Sequence, residues 1–264
     1  MESNLFSRFA SLIREMSEAE LADEIMQPQR LLLENAQAGR KRIEVAYAPF
    51  DHVNTDARVV IVGVTPGRQQ MRNALLEARR CLRAGHSESQ AMAAAKVFAS
   101  FSGPMRTNLV AMLDSTGISR LLGVPSCGSL WNGDCNLVHF TSALRYPVLV
   151  DGKDYSGTPS MVSTPLLRRH LMKWFSAEAS MLSQAIFVPL GPKVAEAIEL
   201  ATSEAGIDRN RILSGLPHPS GANAERIAFF LGRKARQDLS PKVEPDRLLA
   251  ARAALEARVA ALQG

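Results

Sequence analysis

The sequence predicts an α/β fold: one large domain built on a central parallel sheet with helices on both faces, with helical additions at the two ends. Three observations predict it. Val59-Val60-Ile61-Val62-Gly63-Val64-Thr65-Pro66-Gly67 is an uninterrupted apolar run, rich in β-branched residues, that ends in a turn between two glycines. Too short for a surface helix, it reads as a strand buried on both faces, the signature of a parallel sheet. Two later runs, Ile186 to Gly191 and Ile212-Leu213, each lead through a turn into a stretch of helical periodicity. With 264 residues, 46% of them hydrophobic, the chain is long enough to bury one such core.

Residues 1–55 read as an N-terminal helical extension packed on the core, 56–240 as the main domain and 241–264 as a C-terminal helix. In the extension, Leu5, Phe9, Leu12, Ile13 and Met16 recur at helical spacing, and a second apolar piece, Leu31 to Asn35 ending near Gly39, reads as a second helix. After the first strand an Ala, Arg and Glu-rich region broken at Gly85-His86-Ser87 predicts a helical pair, with Ser87 capping the second member. Arg106 to Asp114 is helical. Residues 116–133, rich in Gly, Ser and Pro, read as a loop anchored by Leu121, Leu122 and Trp131.

Cys135 to Phe140 reads as a strand carrying Asn136, and 146–165 as a long surface loop punctuated by Asp151-Gly152 and Ser156-Gly157. Leu166 to Leu182 has helical periodicity, with Trp174 and Phe175 directed to the core. Lys193 to Ala201 and Ala224 to Lys234 are helical. The terminal helix from Asp246 carries an apolar stripe of Leu248, Leu249, Leu255, Val259 and Leu262, which packs on the domain or, as the sharper alternative, forms a dimer.

Two turns then stand out as chemistry. The crevice beyond the carboxyl ends of parallel strands is where ligands bind, and Gly63 and Gly67 let a ligand approach the backbone there. Late in the chain, Leu216-Pro217-His218-Pro219-Ser220-Gly221-Ala222-Asn223 holds a histidine between two prolines, which restricts the backbone that presents the ring. Together, in this order, the Gly-Val-Thr-Pro-Gly turn and His-Pro-Ser-Gly resemble the two signature motifs of the uracil-DNA glycosylase superfamily. Phe101-Ser102-Gly103-Pro104-Met105 is similar to its segment carrying the aromatic that stacks on an extruded base. Cys135-Asn136-Leu137-Val138-His139-Phe140 is similar to the strand whose asparagine reads that base. The resemblance runs collinearly from about Arg58 to about Lys234.

The resemblance implies a three-layer α/β/α sandwich and a DNA glycosylase, which flips a nucleotide and hydrolyses its N-glycosidic bond to leave an abasic site. It implies Thr65 and His218 as catalytic residues, with His218 the donor to the departing base, and a base pocket of Gly63, Val64, Gly67, Phe101 and Asn136. DNA contacts fall to Arg68, Arg106, Ser220, Gly221, Asn223 and Arg226. By architecture, Thr65, Asn136 and His218 meet at one edge of the sheet. Asn136 and His218 are each, on local grounds alone, ordinary polar residues satisfied by backbone groups.

Thr65 departs from the family, which places Asp, Asn or Glu there to orient the attacking water. A threonine hydroxyl positions water but is no general base near neutral pH. Three explanations compete: water held by Thr65 or by another carboxylate, Asp134 or Asp154; altered chemistry; or no catalysis. Uracil-restricted members place a tyrosine where Gly67 stands, so the preferred substrate is a C5-modified pyrimidine, such as the hydroxymethylated or glucosylated cytosine of phage DNA. Plain uracil or a mismatched base is the alternative. Two other classes compete: a non-catalytic nucleic-acid-binding protein on the same fold, and a phosphate-ester or nucleotide hydrolase using the Gly63 to Gly67 turn as an anion site, though the Gly-Lys-Ser/Thr of a P-loop is missing.

The charge is in keeping with DNA as partner: 31 Lys and Arg against 26 Asp and Glu leave a net +5. Arg68, Arg72, Arg106, Arg145, Arg226 and Arg233 all follow these motifs, with solvated helix faces as the plainer reading. Cys81, Cys127 and Cys135 lack paired spacing, and neither a signal peptide nor a membrane-length apolar stretch is visible. The expectation is a cytoplasmic protein with reduced thiols, no cofactor, no metal or iron-sulfur cluster, no membrane contact and no obligate protein partner.

Overall fold

Buried apolar strands without polar alternation must be covered on both faces, and the computed structural model, which describes residues 5–263, covers them with helices. In chain order the elements are α1 (Phe6–Glu15), α2 (Glu18–Met26), β1 (Leu32–Ala38), β2 (Lys41–Ala46), β3 (Val59–Gly63), α3 (Arg68–Arg83), α4 (Glu88–Ala99), α5 (Pro104–Ser115) and α6 (Ile118–Leu122). They continue with β4 (Val138–Ser142), β5 (Val148–Val150), β6 (Lys153–Asp154), α7 (Pro165–His170), a π-helical turn (Leu171–Ser176) leading into α8 (Ala177–Ser180), β7 (Ile186–Pro189), α9 (Pro192–Glu204), α10 (Ala224–Phe230) and α11 (Pro245–Ala261). The fold is mixed α/β.

The parallel sheet has the order β4-β3-β7, with Val59 opposite both Val138 and Ile186. Bridges Phe187 to Ile212 and Leu190 to Leu216 lay the chain at 212–216 parallel to β7 on its far side. Alternation along β3 divides the interior. Val60 and Val62 face a core shared with α1, α3, α4 and α9, whereas Val59 and Ile61 face one built from α5, α6, α10 and α11. Leu255 and Val259 of α11 are buried in that second core with Leu262 packed against them, so this part of the terminal stripe packs on its own domain, while Leu249 is exposed.

Two expectations fail here. Residues 31–39 are not a helix: α2 lies earlier, begun by a capping box between Ser17 and Glu20. Leu32–Ala38 instead pairs with β2 in an antiparallel hairpin. The presumed surface loop at 146–165 supplies β5 and β6, which complete this second sheet in the order β1-β2-β5-β6. Asp151 and Gly152 both have positive φ, +50° and +69°, the backbone of a two-residue hairpin turn. The helical pair forms as expected, with Ser87 accepting from the Gln90 amide. The stretch at 116–133 holds the short α6 and a 3-10 turn, and Leu122 and Trp131 do anchor it.

Gly215 shows how tightly α11 seals the second core. Its φ is +139°, and a β-carbon there would stand 2.7 Å from the Ala251 carbonyl oxygen. Gly215→Ala should therefore destabilise the protein by about 2–5 kcal/mol, combining backbone strain with overpacking. Urea unfolding measures this; a change below about 0.5 kcal/mol would show that α11 is loosely docked.

Candidate active site at the carboxyl edge of the parallel sheet

All three strands of the parallel sheet point their carboxyl ends the same way, so the turns after β3, β4 and β7 converge. Ala143 and Leu144 donate their amides to the Gly63 and Val64 carbonyls at 2.9 and 3.0 Å, which extends the β3–β4 pairing into the turns. A small pocket opens at this edge. The lining includes Pro66 and Gln70, Phe101, and Thr141 and Ser142 at the end of β4 with Arg145 just beyond it. It encloses about 10 Å³, room for roughly one water.

Phe101 is buried, sits edge-on to Phe140 with ring centres 5.9 Å apart, and lies against Gly63, where a β-carbon would come within 3.4 Å of the ring. Its φ of +48° is a strained conformation for a bulky residue, and strain of that kind concentrates at functional sites. The polar side of the pocket is unusual in being unfilled. Thr141 Oγ1 is buried without a hydrogen-bond partner, while Gln70 accepts from the Gly67 amide at 3.2 Å through its oxygen. A buried orphan hydroxyl facing a pocket is a ready contact for a ligand.

His218 stands at the same edge. Leu216 pairs with Leu190, and a β-carbon placed on Gly191, whose φ is +93°, would stand 3.4 Å from the His218 β-carbon. Asn108 of α5 donates to the Pro219 carbonyl at 3.0 Å and fixes the loop. Burial lowers the pKa of His218, so the ring is neutral at pH 7. Its Nδ1 accepts from the Ser220 amide at 3.3 Å, which leaves the proton on Nε2 as a donor.

Thr65, after β3, donates its hydroxyl proton to the Tyr146 carbonyl at 2.9 Å, so the oxygen retains only acceptor capacity. Gly67 has an ordinary φ of −80°, and a β-carbon there would meet Asp154 Oδ2 at 3.0 Å. Asp154 thus sits against the motif turn, also accepting from the Arg68 amide at 3.2 Å. Of the two candidate carboxylates, Asp134 lies elsewhere, in the turn before β4 at the opposite end of the sheet.

The same register overturns the placement of Asn136. It lies in a 3-10 turn ahead of Val138, at the amino end of β4, exposed, with its carbonyl accepting from Asn54. Thr65 and His218 share an edge; Asn136 is at the other. The residue that β4 sets opposite Gly63 is Ser142.

Several arginines expected at the DNA surface are committed internally. Arg68 donates to the Ile25, Met26 and Gly152 carbonyls, Arg226 to Lys242, and Arg106 stacks over Trp131 at 5.0 Å. Gly221 is exposed, while Ser220 and Asn223 are half-buried and bonded to each other.

Behind the pocket lies a buried charge cluster that local pattern did not single out. Glu178 of α8 receives Arg145 at 2.5 Å on one oxygen and His139 at 2.5 Å on the other, with the Lys96 ammonium 3.7 Å away. Lys96 also donates to the His52 carbonyl at 2.6 Å. Burial pushes Lys96 down to about 8 and His139 down to about 4. For Glu178 burial works upward, but Lys96, Arg145 and His139 outweigh it and hold the carboxyl well below the usual range. The Asn54 amide donates to His139 Nδ1 at 3.3 Å, so neutral His139 gives its Nε2 proton to Glu178.

Among the described residues there is no group of three or more metal-ligating side chains, and no helix is long and apolar enough to cross a membrane. No family model and no solved structure matches the chain. Over 216 residues it is 33% identical to the uncharacterized protein YoxB of Bacillus subtilis (strain 168), a match that spans 81% of this chain and 82% of that protein.

The cluster makes a test of its own. Removing the carboxylate should strand two buried cations, so Glu178→Gln should cost about 3–5 kcal/mol in urea unfolding. The pH dependence has a definite sign. Below the ordinary 6.5 of histidine the unfolded chain takes up a proton that folded His139 refuses until about 4, so stability falls across that window. Glu178 adds a second loss below 4.5, where the unfolded carboxylate becomes protonated first. Melting temperatures from pH 8 to 4 should begin to drop near 6.5; in His139→Gln the drop between 6.5 and 4.5 should be shallower, with His52, His170 and His218, whose pKa values burial also lowers, supplying what remains. A wild-type plateau down to 4.5 would contradict a neutral buried His139.

Proposed function

We propose, for a chain that belongs to the same family as the Bacillus subtilis protein YoxB, that it is a DNA glycosylase of the uracil-DNA glycosylase type, acting on a C5-modified pyrimidine. The observation that carries this reading is the convergence at one sheet edge of a strained, buried Phe101 over the Gly63 turn and a neutral His218 with its Nε2 proton free to donate. Stacking surface and fixed donor are what such a reaction needs. Two helical layers enclosing a sheet of order β4-β3-β7 support the α/β/α reading of the fold.

In this reading the C1′–N1 bond breaks with its electron pair moving onto the base, and His218 stabilises the charge that develops on O2. Ser142 and Thr141 take the base-reading task in place of Asn136, because their hydroxyls stand at the carboxyl end of β4. Water adds to C1′ and loses a proton. Asp154 is the carboxylate at the motif turn and the candidate to hold that water, with Thr65, two residues ahead of Gly67 in the same turn, a further acceptor. The C5-modified substrate is inferred from Gly67 standing where uracil-restricted members carry a tyrosine; here Asp154 borders that position. Base entry requires a lining residue such as Phe101 to move, since the pocket holds only about one water as it stands. The engaged hydroxyl of Thr65 favours one competitor, a protein that binds nucleic acid without catalysis.

The test is base release from DNAs carrying uracil, a thymine mismatch, hydroxymethylcytosine or glucosylated hydroxymethylcytosine. A C5-modified base should be released catalytically, leaving alkali-labile sites. His218→Ala should slow release 10²–10³-fold while DNA affinity changes less than about 3-fold, because its donor acts in the transition state. Equal losses of rate and affinity would make His218 a binding residue, and no release from any DNA would favour the binder.

A further inference from the structure

A second cavity, of about 230 Å³, lies away from the sheet edge, between Leu5 just ahead of α1, β1 and the α7–π-turn segment. Its charge is lopsided. Arg8, Arg169 and Lys173 line it against a single carboxylate, Glu34. Glu34 is consumed by Arg169 and by His170 Nε2 at 2.9 Å, and burial lowers the pKa of His170, so the ring adds no charge at neutral pH. The side chains of Arg8 and Lys173 have no carboxylate or hydrogen-bond partner among the described residues. Each lies over an aromatic ring, Arg8 at 5.3 Å from the centre of Phe9 and Lys173 at 4.5 Å from that of Trp174.

The remaining wall is Leu5, Leu33 and Trp174, and the Trp174 indole N–H is buried without an acceptor. Three cations and one carboxylate leave a balance of two positive charges, the complement of a phosphate monoester, which carries about two negative charges near pH 7. The volume falls below the roughly 300–1,000 Å³ of drug-sized ligand sites, so the organic part must be small. We propose that this pocket binds a phosphate monoester on a small, partly apolar group, with Arg8 and Lys173 on the phosphate and Leu33 and Trp174 against the organic part. A free mononucleotide and the 5′-phosphorylated end of a DNA strand share that chemistry. The site does not depend on the glycosylase reading.

Calorimetric titration of the full chain with thymidine 5′-monophosphate, inorganic phosphate and thymidine separates the contributions, and paired oligonucleotides with 5′-phosphate or 5′-hydroxyl ends separate the sources. The monophosphate should bind at least 10-fold tighter than thymidine or inorganic phosphate, with affinity falling as salt rises. Arg8→Glu and Lys173→Glu, both on exposed side chains, should each weaken it at least 10-fold without lowering the melting temperature, whereas Lys173→Arg should retain it. If the 5′-phosphorylated oligonucleotide competes and the 5′-hydroxyl one does not, the source is a DNA end; if neither competes, it is a free nucleotide. Equal binding of thymidine and its monophosphate, undiminished binding by both glutamate variants, or no binding of the monophosphate would overturn the proposal.

Discussion

Glu178 is the group on which the candidate site depends. A carboxylate removed from water costs several kcal/mol unless its lone pairs are matched, and here Arg145, His139 and Lys96 match them from three directions. Those partners lie on different elements: His139 inside β4, Arg145 just after it, Lys96 on α4. One buried charge therefore holds a strand, a helix and a pocket wall in fixed relation. The Arg145 guanidinium is also held over Trp174 at 5.4 Å. The wall behind the pocket is set by charge and hydrogen bonding, which demand definite geometry, more than by apolar packing, which tolerates sliding.

A second buried carboxylate fastens the N-terminal helices to the same region. Asp51 accepts from the Leu5 amide and from the hydroxyls of Tyr47 and Tyr146, at 2.6, 2.9 and 2.7 Å. Tyr146 also supplies the carbonyl that engages Thr65. Folding and site are thus joined through one residue pair. At the pocket itself stand a hydroxyl without a partner on Thr141 and a strained backbone at Phe101. Strain and unmet hydrogen bonding are costs that a fold retains where something binds.

The parts legible in the sequence were those governed by local chemistry. β3 was visible because a strand buried on both faces admits only apolar residues, and Ser87 because capping is decided within four residues. β1 was misread because a seven-residue strand whose partner lies across a hairpin carries little periodicity of its own. Asn136 was misplaced because a 3-10 turn delays the start of β4 to Val138, which moves the functional end of the strand six residues on, to Ser142. The Glu178 cluster joins positions 82 residues apart in sequence, Lys96 and Glu178, and only tertiary structure unites them. A lone glutamate between Phe175 and Leu182 on an otherwise apolar helical stretch was the signal available, since an unpaired charge is seldom found on such a face.

The central claim, that a base is received between Phe101 and the hydroxyls of Thr141 and Ser142, is tested most directly by a crystal structure with DNA carrying a 2′-fluorinated, cleavage-resistant C5-hydroxymethylated nucleotide. The account predicts the nucleotide extruded at the carboxyl edge of the parallel sheet, its base on the Phe101 ring, its edge on Thr141 and Ser142, and His218 Nε2 within hydrogen-bond distance of O2. A base lodged elsewhere, or DNA tracking the amino edge near Asn136, would contradict it.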